Sequence, residues 1–112
     1  MKDLLLITPP FTQLNTPYPA TAYLKGFLNT KSITAFQMDL GIEVILKLFS
    51  KEGLTSIFST VNRQPTTENI KRIYSLRQDY INTIDAVIAF LQGKNQTLAR
   101  QICAGNFLPE AS

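Results

Sequence analysis

From the amino end the chain reads as one apolar run, one proline-rich loop, and then a series of stretches with helical spacing. Leu4, Leu5, Leu6 and Ile7 are consecutive apolar residues, and Thr8-Pro9-Pro10 follows them. Such a run predicts a strand over Asp3 to Thr8 of the parallel kind, covered on both faces, and the prolines end it. From Pro19 to Asn29, the residues Ala20, Tyr23, Leu24, Phe27 and Leu28 recur at spacings of 3 and 4, which predicts a helix with that face packed on the sheet. Asn29 to Ser32 reads as a turn, and Ile33 to Asp39, with Ile33, Ala35 and Phe36 apolar, as a second strand. The three elements form a βαβ unit, whose crossover is right-handed in nearly all known cases.

After Asp39 the pattern is helical only. Ile42, Ile45, Leu46 and Phe49 predict a short amphipathic helix, supported by the pair Glu43 and Lys47, with Gly53 as its stop. Leu54, Ile57, Phe58 and Val61 continue as a second short piece up to Pro65. From Thr67 to Gln92, the stripe Ile70, Tyr74, Arg77, Ile81, Ile84, Ile88 and Leu91 predicts one long helix, capped by Thr66 or Thr67 and ended by Gly93. It would be about 39 Å long. Arg77 and the bulk of Tyr74 favour intramolecular packing of this stripe over a dimerising coiled-coil seam. A last helix, Gln96 to Ala104, is stopped by Gly105.

The expected fold class is α/β: a truncated Rossmann-like β-α-β unit followed by three to four helices, one of them long. It divides into a half domain over residues 1–52 and a helical region over residues 53–112. No third strand is predicted. A two-stranded parallel sheet leaves both edges open, so the pattern implies a piece of a larger domain or a sheet completed by another chain. A homodimer through an exposed strand edge or the long helix is one such completion.

Composition narrows the chemistry. The chain carries no histidine and one cysteine, Cys103. Zinc sites, histidine-held haem, Cys-His or Ser-His-Asp catalysis and an internal disulfide are thereby set aside. Neither catalytic residues nor metal ligands are expected, and Cys103 between helical neighbours reads as a small buried hydrophobe. Net charge is +3, but the eleven basic residues do not cluster, so no nucleic-acid partner is expected. No apolar stretch approaches a membrane span and the amino-terminal run is short for a signal peptide, so no membrane partner is expected and the cytoplasm is the expected location. The triplet Asn95-Gln96-Thr97 matches a glycosylation acceptor, but Asn95 after Gly93 reads better as a helix cap.

No glycine-rich phosphate loop follows the first strand, which sets aside classical dinucleotide and P-loop binding. In its place stands a loop from Thr8 to Pro19, stiffened by Pro9, Pro10, Pro17 and Pro19 and carrying Phe11 and Tyr18. Stiff loops with aromatic surfaces suit flat, largely apolar ligands, because little entropy is lost on binding. Asp39, at the end of the second strand, stands where an acidic residue can bond a ribose hydroxyl. With Glu43 four residues on, it more simply suits the positive end of the next helix.

Leu4 to Phe11, then Pro17-Tyr18-Pro19-Ala20, Tyr23-Leu24-Lys25-Gly26-Phe27-Leu28 and Asp39-Leu40-Gly41-Ile42-Glu43 together resemble the N-terminal segment of cobalamin-binding-domain radical-SAM proteins. The resemblance covers residues 3 to 49. It implies a Rossmann-like cobalamin-binding half in which Thr8, Pro9, Pro10, Phe11 and Tyr18 line the cofactor side, with Asp39 at the same strand-end edge. It further implies a parent radical-SAM oxidoreductase or methyltransferase, whose four-iron cluster and S-adenosylmethionine belong to a barrel outside this segment. That barrel would be the segment's partner, and the segment would not be catalytic alone. Two departures stand out: the C-x-x-x-C-x-x-C cluster motif and the Asp-x-His-x-x-Gly motif are both missing. Any cobalamin bound would therefore lack a protein histidine ligand.

Overall fold

Strand β1 (Asp3–Thr8) and strand β2 (Thr34–Asp39) are joined by helix α1 (Ala20–Thr30) and pair in parallel, with Leu5 opposite Phe36 and Thr8 opposite Asp39. The computed structural model describes residues 3–16, 18–61 and 67–110; Pro17, the expected stop at Pro65 and the alternative cap at Thr66 lie outside them. Among the described residues five further helices follow: α2 (Leu40–Leu48), α3 (Lys51–Thr60), α4 (Glu68–Ser75), α5 (Arg77–Leu91) and α6 (Ala99–Cys103), the last preceded by a 3-10 turn at Gln96–Leu98. The fold is α/β, a β-α-β unit followed by helices, as the patterning predicts. Among the described residues the sheet has two strands only.

The chain forms two units, Met1–Ile45 and Leu46–Ser112. In the first, alternation along the strands puts Leu4, Leu6 and Thr8 beside Ala35, Gln37 and Asp39 on one face, and Leu5 and Ile7 beside Phe36 and Met38 on the other. Ala35 and Thr8 are buried on the first face. The second face is bare, with Leu5 53% and Phe36 55% exposed and Ile7 and Met38 close behind. The strand expected to be covered on both faces is thus covered on one.

The face of α1 also differs from expectation. Thr21, Lys25 and Leu28 are its half-buried residues, whereas Tyr23 is 78% and Phe27 59% exposed, with Leu24 exposed as well. Paired strands lie about 5 Å apart while a helix with its side chains is about 10–12 Å wide. A two-stranded sheet therefore supports only part of the apolar stripe. Lys31 Nζ covers some of the remainder, 5.6 Å from the centre of the Phe27 ring, a cation–π distance.

Among the described residues of the second unit, Ile81 and Leu98 are the buried apolar ones. The stripe predicted for one long helix is interrupted at Leu76, between α4 and α5, where the backbone turns to φ −93°, ψ 8°. Around the break, side chains compete for the helical carbonyls: Ser75 Oγ donates to the Arg72 carbonyl at 2.7 Å and Arg77 Nη1 to the Tyr74 carbonyl at 3.0 Å. Such back-bonding bends helices. The Arg77 guanidinium also lies over the Tyr74 ring at 4.4 Å, and Phe58 meets that ring edge-on. At the far end Leu91 is 72% exposed, so the stripe's burial fades before the helix ends.

Gly53 does not stop the helix before it but sits in the first turn of α3, where Ser50 caps by accepting from the Gly53 N–H at 3.0 Å. A Cβ at Gly53 would collide with the Lys47 and Leu48 carbonyls, which explains the glycine by close approach. Thr67 caps α4, as expected. Asn95 precedes the 3-10 turn, but its side chain accepts from Thr97 Oγ1 rather than from a backbone amide. Cys103, expected to be buried, is exposed; the five-residue α6 is anchored by the buried Leu98 just before it.

Candidate functional site

Both strands run the same way, so their carboxyl ends, Thr8 and Asp39, lie side by side at one edge of the sheet. Ligands of open α/β sheets bind outside this edge. Two chain segments leave from here. After β1, Pro9 and Pro10 end the strand and Phe11 takes a left-handed conformation, φ 66°, uncommon for a bulky residue. The chain then travels through Thr12 to Pro19 before α1 begins. After β2 the chain enters α2 directly, with Asp39 Oδ1 accepting the Ile42 N–H at 3.0 Å. An acceptor at this position satisfies one of the four unpaired amides of a helix start, and its charge suits the dipole there.

Between the segments is a cleft of about 650 Å³ lined by Thr12 to Thr16 and Tyr18 of the loop, by Thr8, Gln37, Met38 and Asp39 from the strands, by Thr21 from α1 and by Ile42 from α2. That volume lies within the range of small-molecule sites, about 300–1,000 Å³. Thr8 is 3% exposed, yet its hydroxyl makes no hydrogen bond among the described residues, and no polar atom there is both fully buried and unsatisfied. Thr8 is among the residues that line the cleft. Thr12 Oγ1 donates weakly to the Pro9 carbonyl, at 3.4 Å. Gly41 is buried, and a Cβ there would stand 3.1 Å from both Asp39 Oδ1 and Thr12 Oγ1, two residues of the cleft. The missing side chain lets the loop and the α2 start meet.

Compared with protein-family models, with curated proteins and with solved structures, the chain matches none. The site must therefore be read from its own chemistry. Of the residues expected on the cofactor side, the cleft brings together Thr8, Tyr18 and Asp39. Pro9, Pro10 and Phe11 are not among the lining residues; Phe11 is 84% exposed, and Pro9 contributes its carbonyl to Thr12. Sequence reasoning missed Gln37, Thr21 and Gly41. The signal for Gln37 was its place two residues before Asp39, since that spacing puts both on one face of a strand.

Among the described residues no group of three or more Asp, Glu, Cys or His side chains could hold a metal. Asp39 and Glu43, four apart in sequence, both stand at the start of α2, with Asp39 the cap and Glu43 in the first turn. Among the described residues no helix is long and apolar enough to cross a membrane.

Proposed function

We propose that residues 1–45 form one wall of a cofactor or substrate site, as the N-terminal part of a cobalamin-binding-like domain of a radical-SAM enzyme. The segment is not catalytic by itself and works in the cytoplasm. One observation carries the reading: a cleft at the carboxyl ends of two parallel strands, lined by Thr8, Tyr18 and Asp39. The uncovered apolar face of the sheet, Leu5, Ile7, Phe36 and Met38, supports the view that this is part of a larger domain.

The neutral hydroxyl and amide side chains of the cleft fit the uncharged amide periphery of a corrinoid. At about 650 Å³ they serve as one wall of its site and not as the whole. A corrinoid bound there would supply cobalt-centred chemistry, while the chain's own residues bind and orient it. A four-iron cluster does not fit, because the sequence has a single cysteine and cluster ligation takes several. The cluster and S-adenosylmethionine would belong to a partner barrel.

The bare apolar face favours a second reading, a helical interaction module completed by homodimerisation. Equilibrium dialysis against hydroxocobalamin, together with a size-exclusion mass, separates the two. Retention of one corrinoid per chain is expected; a stable dimer that retains none would replace the first reading with the second.

A further inference from the structure

Resting on the reading of the strand-end cleft as a ligand site, we infer that the part of the ligand seated against Thr8 and Asp39 is an uncharged, hydroxyl-bearing ring rather than a phosphate. The ring is that of a free sugar or of the ribose of a nucleoside. The charge of the cleft carries the inference. Among the described residues that line it, Asp39 is the one charged side chain, and neither lysine nor arginine is present. A phosphate would ordinarily seek the amino end of a helix, where unpaired amides and the dipole attract anions. Here that end is already held by a carboxylate, through the bond from the Ile42 N–H to Asp39 Oδ1. An anion placed there would meet a like charge, with no lysine or arginine among the described lining residues to offset it.

A hydroxylated ring meets the opposite situation. An ionised carboxylate accepts only, at about four lone-pair sites over its two oxygens, and the described residues place one hydrogen bond on Asp39. The remaining sites suit adjacent hydroxyls, which donate. The Thr8 hydroxyl, unpartnered among the described residues, and the Gln37 and Asn15 amides, which line the same cleft, can both donate to and accept from ring oxygens. Tyr18, 57% exposed, lines the same cleft, and an aromatic ring suits the apolar side of such a sugar. Gly41 keeps Asp39 and Thr12 in place, since a methyl group would press on both.

The test is an amide-resolved NMR titration of the full chain at low salt with four probes: methyl β-ribofuranoside, adenosine, adenosine 5′-monophosphate and hydroxocobalamin. Adenosine is expected to move the amides of Thr8, Asn15 and Asp39, and its 5′-monophosphate to bind at least about ten-fold more weakly, through repulsion at Asp39. Asp39→Asn, which keeps a capping oxygen, should close that gap to within about three-fold. If methyl ribofuranoside binds as well as adenosine, a free sugar is the source of the ring; if only adenosine binds, a nucleoside is. A monophosphate that binds as tightly as adenosine overturns the inference. So does silence with methyl ribofuranoside, adenosine and its monophosphate while hydroxocobalamin, whose own ribose is phosphorylated, moves the same amides, an outcome that leaves the cofactor reading standing. Silence with all four probes removes both.

Discussion

Ser32 shows how a single position can work against the element it ends. It closes α1 in the left-handed region at φ 57°, with Ser32 N–H bonded to the Asn29 carbonyl and Ile33 N–H to the Leu28 carbonyl, both at 3.1 Å. That is the Schellman arrangement, in which glycine is the favoured residue. The chain uses glycine after α5 and α6, where Gly93 and Gly105 take φ 75° and 73°. Ser32→Gly should therefore raise stability by about 1 kcal/mol, seen as a melting midpoint higher by about 4–8 °C in far-ultraviolet circular dichroism. An unchanged or lower midpoint would mean that serine is not strained there. At the same scale, Asp39 as a helix cap was legible, because carboxylates at helix starts have a local cause. Gly41 was not, since its role depends on Thr12, a residue remote in sequence.

Elements were legible in kind and less so in continuity. The two strands and α1 fall within a residue of their predicted ends. The long helix predicted from Thr67 is broken at Leu76, because side-chain competition for carbonyls does not register in hydrophobic spacing. One contact between helices was invisible to local pattern: Asp85 Oδ1, on α5, accepts the Lys51 N–H of α3 at 2.9 Å. It caps from 34 residues away, placing a negative charge at the positive end of α3. Asp85→Ala should cost about 1 kcal/mol, since the site is exposed and screened, and Asp85→Asn, which keeps an oxygen acceptor, should cost less. Urea unfolding of the two variants checks the order, and equal midpoints with the parent chain would deny the cap.

For the molecule as a whole, the notable quantity is the apolar surface left in water. Leu5 and Phe36 face each other across the register on the bare side of the sheet, each more than half exposed. Contiguous exposed apolar patches mark interaction sites or association liabilities, so the isolated chain should self-associate as its concentration rises. Pairing Leu5→Lys with Phe36→Glu should shift sedimentation toward monomer and lower the binding of a hydrophobic dye, while stability changes by no more than about 1 kcal/mol, opposite charges across a parallel pair being tolerated. Unfolding of this variant would show that the face is buried after all. Unchanged association would show that it is not the cause.

Local pattern alone determined the order of elements, the α/β class and the strand-end position of Thr8 and Asp39, because apolar periodicity and the geometry of proline and glycine act within a few residues. Tertiary structure decided which faces find cover, where the long helix breaks and which loop side chains reach the cleft. Those outcomes depend on the width of the sheet beneath α1, on side-chain bonds to helical carbonyls and on contacts between residues far apart in sequence. No periodicity encodes them.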